Sequence, residues 1–212
     1  MRKSSVVLSL ALMLCSTLTS AAVIFEDNFD SENGGVGELN YTGFERWNVA
    51  LGTVDLIGNG FHDLLPGNGL YVDLDGSTGN AGVLYRMQDL DAGDYTLFFD
   101  LAGNQRNDAP EVVQANVSVI LGEGESVGTQ VSLGRLDGFS TYALEFSVDD
   151  FLFFSPIINI SFGAGGGDNV GMLLDNVLLA EGHVAVSEPA TLGLLGIGLV
   201  GLGMLRRRQK AS

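Results

Sequence analysis

Apolar and polar residues alternate one by one in four short runs in the middle of the chain. The apolar positions are Tyr95, Leu97, Phe99 and Leu101 in the first run, Val113, Ala115, Val117 and Val119 in the second, Tyr142, Leu144, Phe146 and Val148 in the third, and Ile158, Ile160 and Phe162 in the fourth. This period of two predicts antiparallel strands that turn one face to a core and the other to water.

Other segments rich in β-branched and aromatic residues, separated by Gly, Asn and Asp, extend the pattern. These further strand candidates are 23–29, 44–50, 53–57, 69–74, 82–88, 128–133 and 171–179. About ten strands with no helical period predict an all-β fold, an antiparallel β-sandwich of the jelly-roll type.

The first 22 residues have the composition of a secretory signal peptide. Arg2 and Lys3 precede a short apolar run, and small residues up to Ala21 and Ala22 offer a cleavage site. We expect a signal-peptide helix that is removed on export. The only cysteine, Cys15, lies inside this segment, so we expect no disulfide in the exported domain.

The other end of the chain contains a second apolar segment followed by a cluster of positive charges. Residues 190–205 would span about 24 Å as a helix at 1.5 Å per residue, which is short against a hydrocarbon core of about 30 Å. Arg206, Arg207 and Arg208 place its end on the cytoplasmic side. A C-terminal transmembrane helix is therefore predicted, and a plain membrane anchor is one interpretation of it.

The order of parts at this end resembles the PEP-CTERM sorting signal of Gram-negative, exopolysaccharide-producing bacteria. Glu188 and Pro189 match its motif, and the glycine-rich apolar segment and the arginine cluster follow as they do in that family. Ser187 stands where the first proline is expected. The resemblance implies transient insertion in the inner membrane, cutting by an exosortase-type membrane protease, and delivery to the cell surface or extracellular matrix.

These features divide the chain into four parts. They are a signal peptide at 1–22, a β-sandwich domain at 23–181, a linker at 182–187 and a sorting signal at 187–210.

The central domain is strongly acidic. It holds 25 acidic residues, four arginines and no lysine, a net charge of about −21. Such a domain repels phosphate backbones and gains nothing by releasing their counterions, which excludes nucleic acid as a partner. Divalent cations and polyhydroxy surfaces remain, as does the simpler interpretation that the charges keep the domain soluble.

The central domain also resembles the galactose-binding-like or carbohydrate-binding-module-like jelly rolls of PEP-CTERM proteins. The segments that carry this resemblance are 54–58, 67–76, 101–104 and 167–171. It implies a fold more firmly than a function, because such folds serve as binders, adhesins and enzyme appendages alike. An exopolysaccharide is the partner that it suggests.

Asp175 is the first candidate for a metal site. In the predicted strand it shares the phase of Leu173, Val177 and Leu179, and a carboxylate on an apolar face must be paired, hydrogen-bonded or bound to metal. The alternative is that it faces solvent at the sheet end or caps a turn. The resemblance implies a structural Ca²⁺ between the first strand and such a carboxylate. The further oxygen ligands would be Glu26, Asp27 and Asp30.

Asp73 and Asp75 are spaced to share one strand face with Tyr71. Two such carboxylates suit a cation, sugar hydroxyls or the acid–base pair of a glycosidase. The alternative is a solvated face that ends in the turn dipeptide Asp75-Gly76.

Trp47 and Tyr71 are candidate platforms for stacking on a sugar, and Arg86 is a candidate donor to an acidic or hydroxylated glycan. The alternative for Trp47, at strand spacing from Val49 and Leu51, is a place in the core.

No motif of a nucleophilic or phosphate-binding site occurs in the sequence. We therefore expect a non-catalytic surface or matrix protein with affinity for exopolysaccharide. The alternatives are a carbohydrate-active enzyme that uses paired carboxylates and a purely structural surface protein.

Overall fold

A computed structural model describes residues 22–106, 112–122, 125–149, 157–164 and 168–182. The predicted signal peptide, transmembrane helix and sorting motif lie outside these ranges. No helix in the described part of the chain is long and apolar enough to cross a membrane.

Within the described residues the chain forms eleven strands and one short 3-10 turn at Glu32–Gly35. The strands are β1 Val23–Asp27, β2 Asn48–Ala50, β3 Asp55–Gly58, β4 Leu70–Asp73, β5 Val83–Asp89, β6 Gly93–Ala102, β7 Val112–Gly122, β8 Glu125–Gly134, β9 Ser140–Val148, β10 Ile157–Ala164 and β11 Leu173–Glu181. Each overlaps one of the strand candidates of the sequence, and the all-β prediction is confirmed.

The strands form two sheets, and within each sheet every pair of neighbouring strands is antiparallel. Sheet A has the order β3-β4-β11-β6-β9, with β1 pairing β11 as a sixth strand, and sheet B has the order β2-β5-β10-β7-β8. The strands of each sheet come from distant parts of the chain, as the predicted jelly-roll sandwich requires.

The core lies between the two sheets and is built from their alternating apolar residues. Phe162 of sheet B meets Trp47 at 5.7 Å and Phe99 of sheet A at 5.4 Å between ring centroids, both edge to face. Such buried aromatic pairs add about 0.5–1.5 kcal/mol each beyond the area they bury. They join the two sheets.

A second, smaller apolar cluster lies on the outside of sheet A. Ile57, Tyr71, Ala102 and Leu173 are its buried members. Side chains of the loop between β3 and β4 pack over it, and the Tyr71 hydroxyl accepts hydrogen bonds from the backbone N–H groups of Leu64 and Leu65, at 2.6 and 2.8 Å. This part of sheet A is therefore covered on both faces.

A bulge interrupts β11 and changes the faces that its residues occupy. The pairing with β6 shifts register between Asp175 and Leu178, and Asn176 adopts φ 47°. Leu174 and Val177 both pack in the core between the sheets, whereas Leu173 lies in the outer cluster. The predicted common phase is therefore wrong beyond the bulge, because the extra residue there reverses the alternation. Asp175 shares the outer face of Leu173 but not the face of Val177.

Candidate functional site

The outward-facing residues in the middle of sheet B form a mostly polar surface, which we call the polar face. They alternate with core residues along five strands, so their side chains point away from the core. They are Asn48, Tyr85, Met87, Gln114, Asn116, Ser118, Ile120, Ser126, Gly128, Gln130, Ser132, Asn159, Ser161 and Gly163. Four further outward positions, at the ends of the strands, border this face: Ala50, Val83, Asp89 and Val112.

Cross-strand hydrogen bonds connect the side chains of the polar face. Gln130 Nε2 donates to Asn116 Oδ1 at 3.1 Å, and Gln114 Nε2 donates to the Ser132 hydroxyl at 3.2 Å. Both bonds run directly across the β7–β8 pairing. Amides and hydroxyls supply both donors and acceptors, and the exposed ones remain open to water or to a ligand.

The polar face is uncharged, although the domain around it is strongly acidic. It contains no Asp, Glu, Lys, Arg or His residue, and the exposed carboxylate of Asp89, the last residue of β5, lies at its border. A surface of this kind forms hydrogen bonds without the desolvation cost of a charge. It suits a neutral polyhydroxy ligand better than a charged one.

The second region is a group of carboxylates around Asp175, which is 2% exposed. Its pKa is raised to about 7, chiefly by burial. A hydrogen bond from the Asn176 backbone N–H opposes this shift, and the negative charges of Asp100, Asp30 and Asp27 add to it. The region between β1, β6 and β11 therefore brings four carboxyl groups within electrostatic reach of one another.

The predicted calcium ligands Glu26, Asp27 and Asp30 differ in their surroundings. Asp27 accepts hydrogen bonds from the Phe29 backbone N–H and from Trp47 Nε1, both at 2.9 Å, and Asp30 accepts one from the Leu70 backbone N–H. Glu26 is exposed and, together with Asp27, lines a cleft of about 460 Å³. Oxygen donors of this kind suit Ca²⁺. As the side chains stand, however, no three His, Cys, Asp or Glu of the described residues are arranged to hold a metal ion.

The aromatic candidates are buried. Trp47 is 3% exposed and packs against Phe25 and Phe162, so neither ring face is open to a sugar and the core alternative holds. Tyr71 is fully buried in the outer cluster, where its hydroxyl donates to Asp63 at 3.0 Å. The stacking role predicted for these two residues is wrong, because both rings are used for packing.

Arg86 is half-buried and engaged within the domain. Its guanidinium lies 4.5 Å from the centre of the Phe25 ring and donates to Gln88 Oε1 and to the Arg46 carbonyl oxygen. Burial lowers its pKa. Arg86 thus packs over the edge of the core.

Asp73 and Asp75 are both buried and have different surroundings. Strand β4 ends at Asp73, and Asp75 turns to accept a hydrogen bond from the Val170 backbone N–H at 3.2 Å. Leu70, Val72 and Leu74 pack in the core, so Tyr71 and Asp73 share the outer face as predicted. The alternative of a solvated face is wrong for Asp73 and Asp75, because both are buried.

Asp73 lines a cavity of about 250 Å³ on the outer side of sheet A. The lining residues are Leu39, Asp55, Ile57, His62, Leu64, Asp73, Ser77 and Arg106. The Asp73 carboxylate accepts hydrogen bonds from the Asp75 backbone N–H at 3.1 Å and from Asn104 Nδ2 at 3.3 Å. Its pKa is raised to about 7, chiefly by burial, while the positive charge of Arg106 acts against that rise.

Sequence reasoning missed Asp55, Asn104 and Arg106 as neighbours of Asp73. They come from β3 and from the segment after β6, which the sheet topology alone brings together. The signals were that Asp55 lies in segment 54–58 and Asn104 in segment 101–104, two of those that carry the family resemblance.

Comparison with known proteins adds two findings. Residues 185–208 match the PEP-CTERM protein-sorting motif. That motif implies an exported protein, held transiently in the membrane before release. No curated protein matches the chain by sequence.

Several solved structures share the fold. The C-terminal family 22 carbohydrate-binding module from Clostridium thermocellum superposes with a TM-score of 0.50 at 10% identity, over 78% of this chain and 96% of the module. A xylan-binding domain of family 22 gives 0.50 at 10% identity, over 77% and 97% of the two chains. A cyclase from Fischerella sp. TAU gives 0.56 at 15% identity, over 79% and 100%. At these identities the likeness is one of fold alone.

Proposed function

We propose that the exported domain is a non-catalytic glycan-binding protein of the cell surface or extracellular matrix of a Gram-negative bacterium. In this proposal an exosortase-type protease releases it from the inner membrane, and its ligand is the exopolysaccharide that surrounds the cell. The sorting motif at 185–208 supports the route. The fold, which carbohydrate-binding modules share, supports the activity.

The observation that carries the proposal is the uncharged polar face of sheet B. A soluble acidic domain needs no large uncharged surface, because charge on every face would serve solubility equally well. A row of amides and hydroxyls across five strands offers many donors and acceptors to a chain of sugar hydroxyls. The face holds only Tyr85 as an aromatic side chain, so we expect weak binding that gains strength along a long polysaccharide.

The test is retention of the protein on the exopolysaccharide purified from the producing cells. The full chain is used, in a detergent without a sugar headgroup. Asn116→Asp and Gln130→Asp place a charge at the centre of the polar face, and we expect each to weaken retention at least tenfold. Desolvating the new carboxylate opposes contact with the glycan.

Ala143→Asp is the matched control, since Ala143 is an exposed strand position on the outer face of sheet A. It adds the same charge and should leave retention unchanged. Equal retention of the Asn116→Asp variant and the unaltered protein would refute the polar face as the binding site.

We further propose that Ca²⁺ stabilises the carboxylate group around Asp175. The residues that would hold it are Asp27, Asp30, Asp100 and Asp175, whose mutual repulsion a divalent cation relieves. Because Asp27 and Asp30 already accept hydrogen bonds, binding would require some of these side chains to turn, with water completing the ligand set.

A further inference from the structure

The cavity beside Asp73 lies on the opposite side of the sandwich from the polar face. It opens on the outer side of sheet A, whereas the polar face is the outer side of sheet B. A ligand held in the cavity would therefore be separate from one held on the polar face. At about 250 Å³ the cavity is smaller than the roughly 300–1,000 Å³ of sites for drug-sized ligands, so it suits a single small ring.

Its lining combines three kinds of chemistry. Asp73 supplies a carboxylate that is 1% exposed, and a carboxylate has about four acceptor positions. Arg106, which donates to the Asn169 carbonyl oxygen at 2.6 Å, supplies a guanidinium with further donors. Ile57 and Leu64 supply an aliphatic wall.

The position of Asp73 is held by its surroundings. The Asp75 backbone N–H and Asn104 Nδ2 fix the carboxylate, and Asn104 Nδ2 also donates to the Gly171 carbonyl oxygen at 2.8 Å. Asn104 is itself fully buried. The acceptor in the cavity is therefore pre-oriented, which reduces the entropy lost when a ligand binds.

This lining discriminates between classes of ligand. The carboxylates of Asp55 and Asp73 repel an anion, and the guanidinium of Arg106 offsets part of their attraction for a cation. A neutral ring with adjacent hydroxyls can contact the carboxylate, the guanidinium and the aliphatic wall at the same time. Its hydroxyls donate to Asp73 and accept from Arg106, and its C–H face packs on Ile57 and Leu64.

We infer that the cavity between Asp73, Arg106 and Leu64 binds a single neutral sugar residue, such as the end of a polysaccharide chain. This site is independent of the polar face. A protein with both sites would hold a chain along one sheet and a chain end at the other, and would so connect two glycan molecules.

The test uses nuclear magnetic resonance of the His62 imidazole, because His62 lines the cavity. The full chain in a detergent without a sugar headgroup is titrated with D-glucose, D-galactose, D-mannose, D-xylose and L-rhamnose in turn. A His183→Gln variant identifies the His62 signals. We expect a saturable shift of these signals with at least one of the sugars.

Two variants test the roles of the side chains. Asp73→Asn removes the carboxylate at nearly constant volume, and Arg106→Gln removes the guanidinium at a less buried position; we expect each to weaken binding at least tenfold. Asp91→Asn, an exposed carboxylate outside the cavity lining, is the matched control and should bind as the unaltered protein does. Should Asp73→Asn fail to fold, Arg106→Gln alone decides the matter.

The inference is overturned if no sugar shifts the His62 signals, or if both variants bind the sugar as the unaltered chain does. It is also overturned if only calcium chloride shifts them. Retention on exopolysaccharide, measured in parallel, separates this site from the proposed function. Sugar binding without retention on exopolysaccharide would refute only the polar face as a binding site. Retention without sugar binding would refute only the cavity as a sugar site.

Discussion

Asp73 is a carboxyl group that folding removes from water. Burial is the main cause of its pKa of about 7, and the charges of Asp55 and Asp75 add to the rise, while the backbone N–H of Asp75 and the charge of Arg106 oppose it. Above its unfolded pKa of about 3.9, the native state therefore binds more protons at this group than the unfolded state does. Ionised Asp73 destabilises the fold.

The free energy of unfolding should therefore fall as pH rises through this range. The contribution of Asp73 to the free energy of unfolding is most favourable below about pH 4, decreases as pH rises toward about 7, and has reached its full penalty above that. Asp175, whose pKa is also raised to about 7, adds a slope of the same sign. We expect Asp73→Asn to make the slope of stability against pH smaller and to stabilise the domain at pH 8, by on the order of a few kcal/mol.

Urea unfolding at pH 5 and pH 8 measures this effect. Asp91→Asn, at an exposed carboxylate, should keep the slope of the unaltered protein. A slope that Asp73→Asn leaves unchanged would show that another group causes the pH dependence.

At the scale of elements, strands β1, β6 and β11 decide which carboxylates meet. The bulge at Asn176 lets Asp175 face outward beside Asp100 while Val177 returns to the core. Asn176 links the two strands, since its Nδ2 donates to Asp100 Oδ2 at 2.9 Å. Asparagine tolerates the positive φ of this position better than a β-branched residue would.

Calcium should raise the midpoint of thermal unfolding, and a chelator should lower it, because the ion binds the folded arrangement of carboxylates. Without calcium, Asp175→Asn should unfold at a higher temperature than the unaltered protein, because the substitution removes a buried charge. It should also lose most of the gain when calcium is added.

Asp91→Asn is the control, because Asp91 is an exposed carboxylate outside the group around Asp175. It should respond to calcium as the unaltered protein does. A midpoint indifferent to chelator and to calcium would contradict the metal site.

At the scale of the molecule, the sandwich ends close to the sorting motif. Strand β11 ends at Glu181, and the Gly182 backbone N–H is tied to the Asp94 carbonyl oxygen. The matched motif begins at residue 185. The folded domain and the matched motif are thus separated by only a few residues, and we expect cleavage at the motif to release the whole sandwich.

Mass spectrometry of the extracellular protein should show that the C-terminal peptide from Arg206 to Lys210 is absent. Ser187→Pro restores the first proline of the motif and should raise the processed fraction, whereas Pro189→Ala should lower it. Extracellular protein that still carries Arg206 to Lys210 would show that the segment is an anchor and not a sorting signal.

The strand pattern was predictable because alternation is a local property. Strand β9, for example, is predicted correctly from residues 142–148 alone, because successive side chains face the core and water in turn. The bulge was not predictable, because Asn176 continues the local pattern and only the pairing with β6 shows the extra residue. The burial of Tyr71 was also hidden, because the loop that covers it lies outside the strand.

By itself, the sequence determined the class of the fold, the positions of the strands, the acidity of the domain and the sorting tail. All four depend on composition or on neighbours in the chain. Tertiary structure alone decided that Trp47 is in the core, that Asp73 lines a cavity with Arg106, and that the middle of the outer side of sheet B is uncharged. Those depend on which strands become neighbours, and strand order is set by packing energy summed over the whole sandwich.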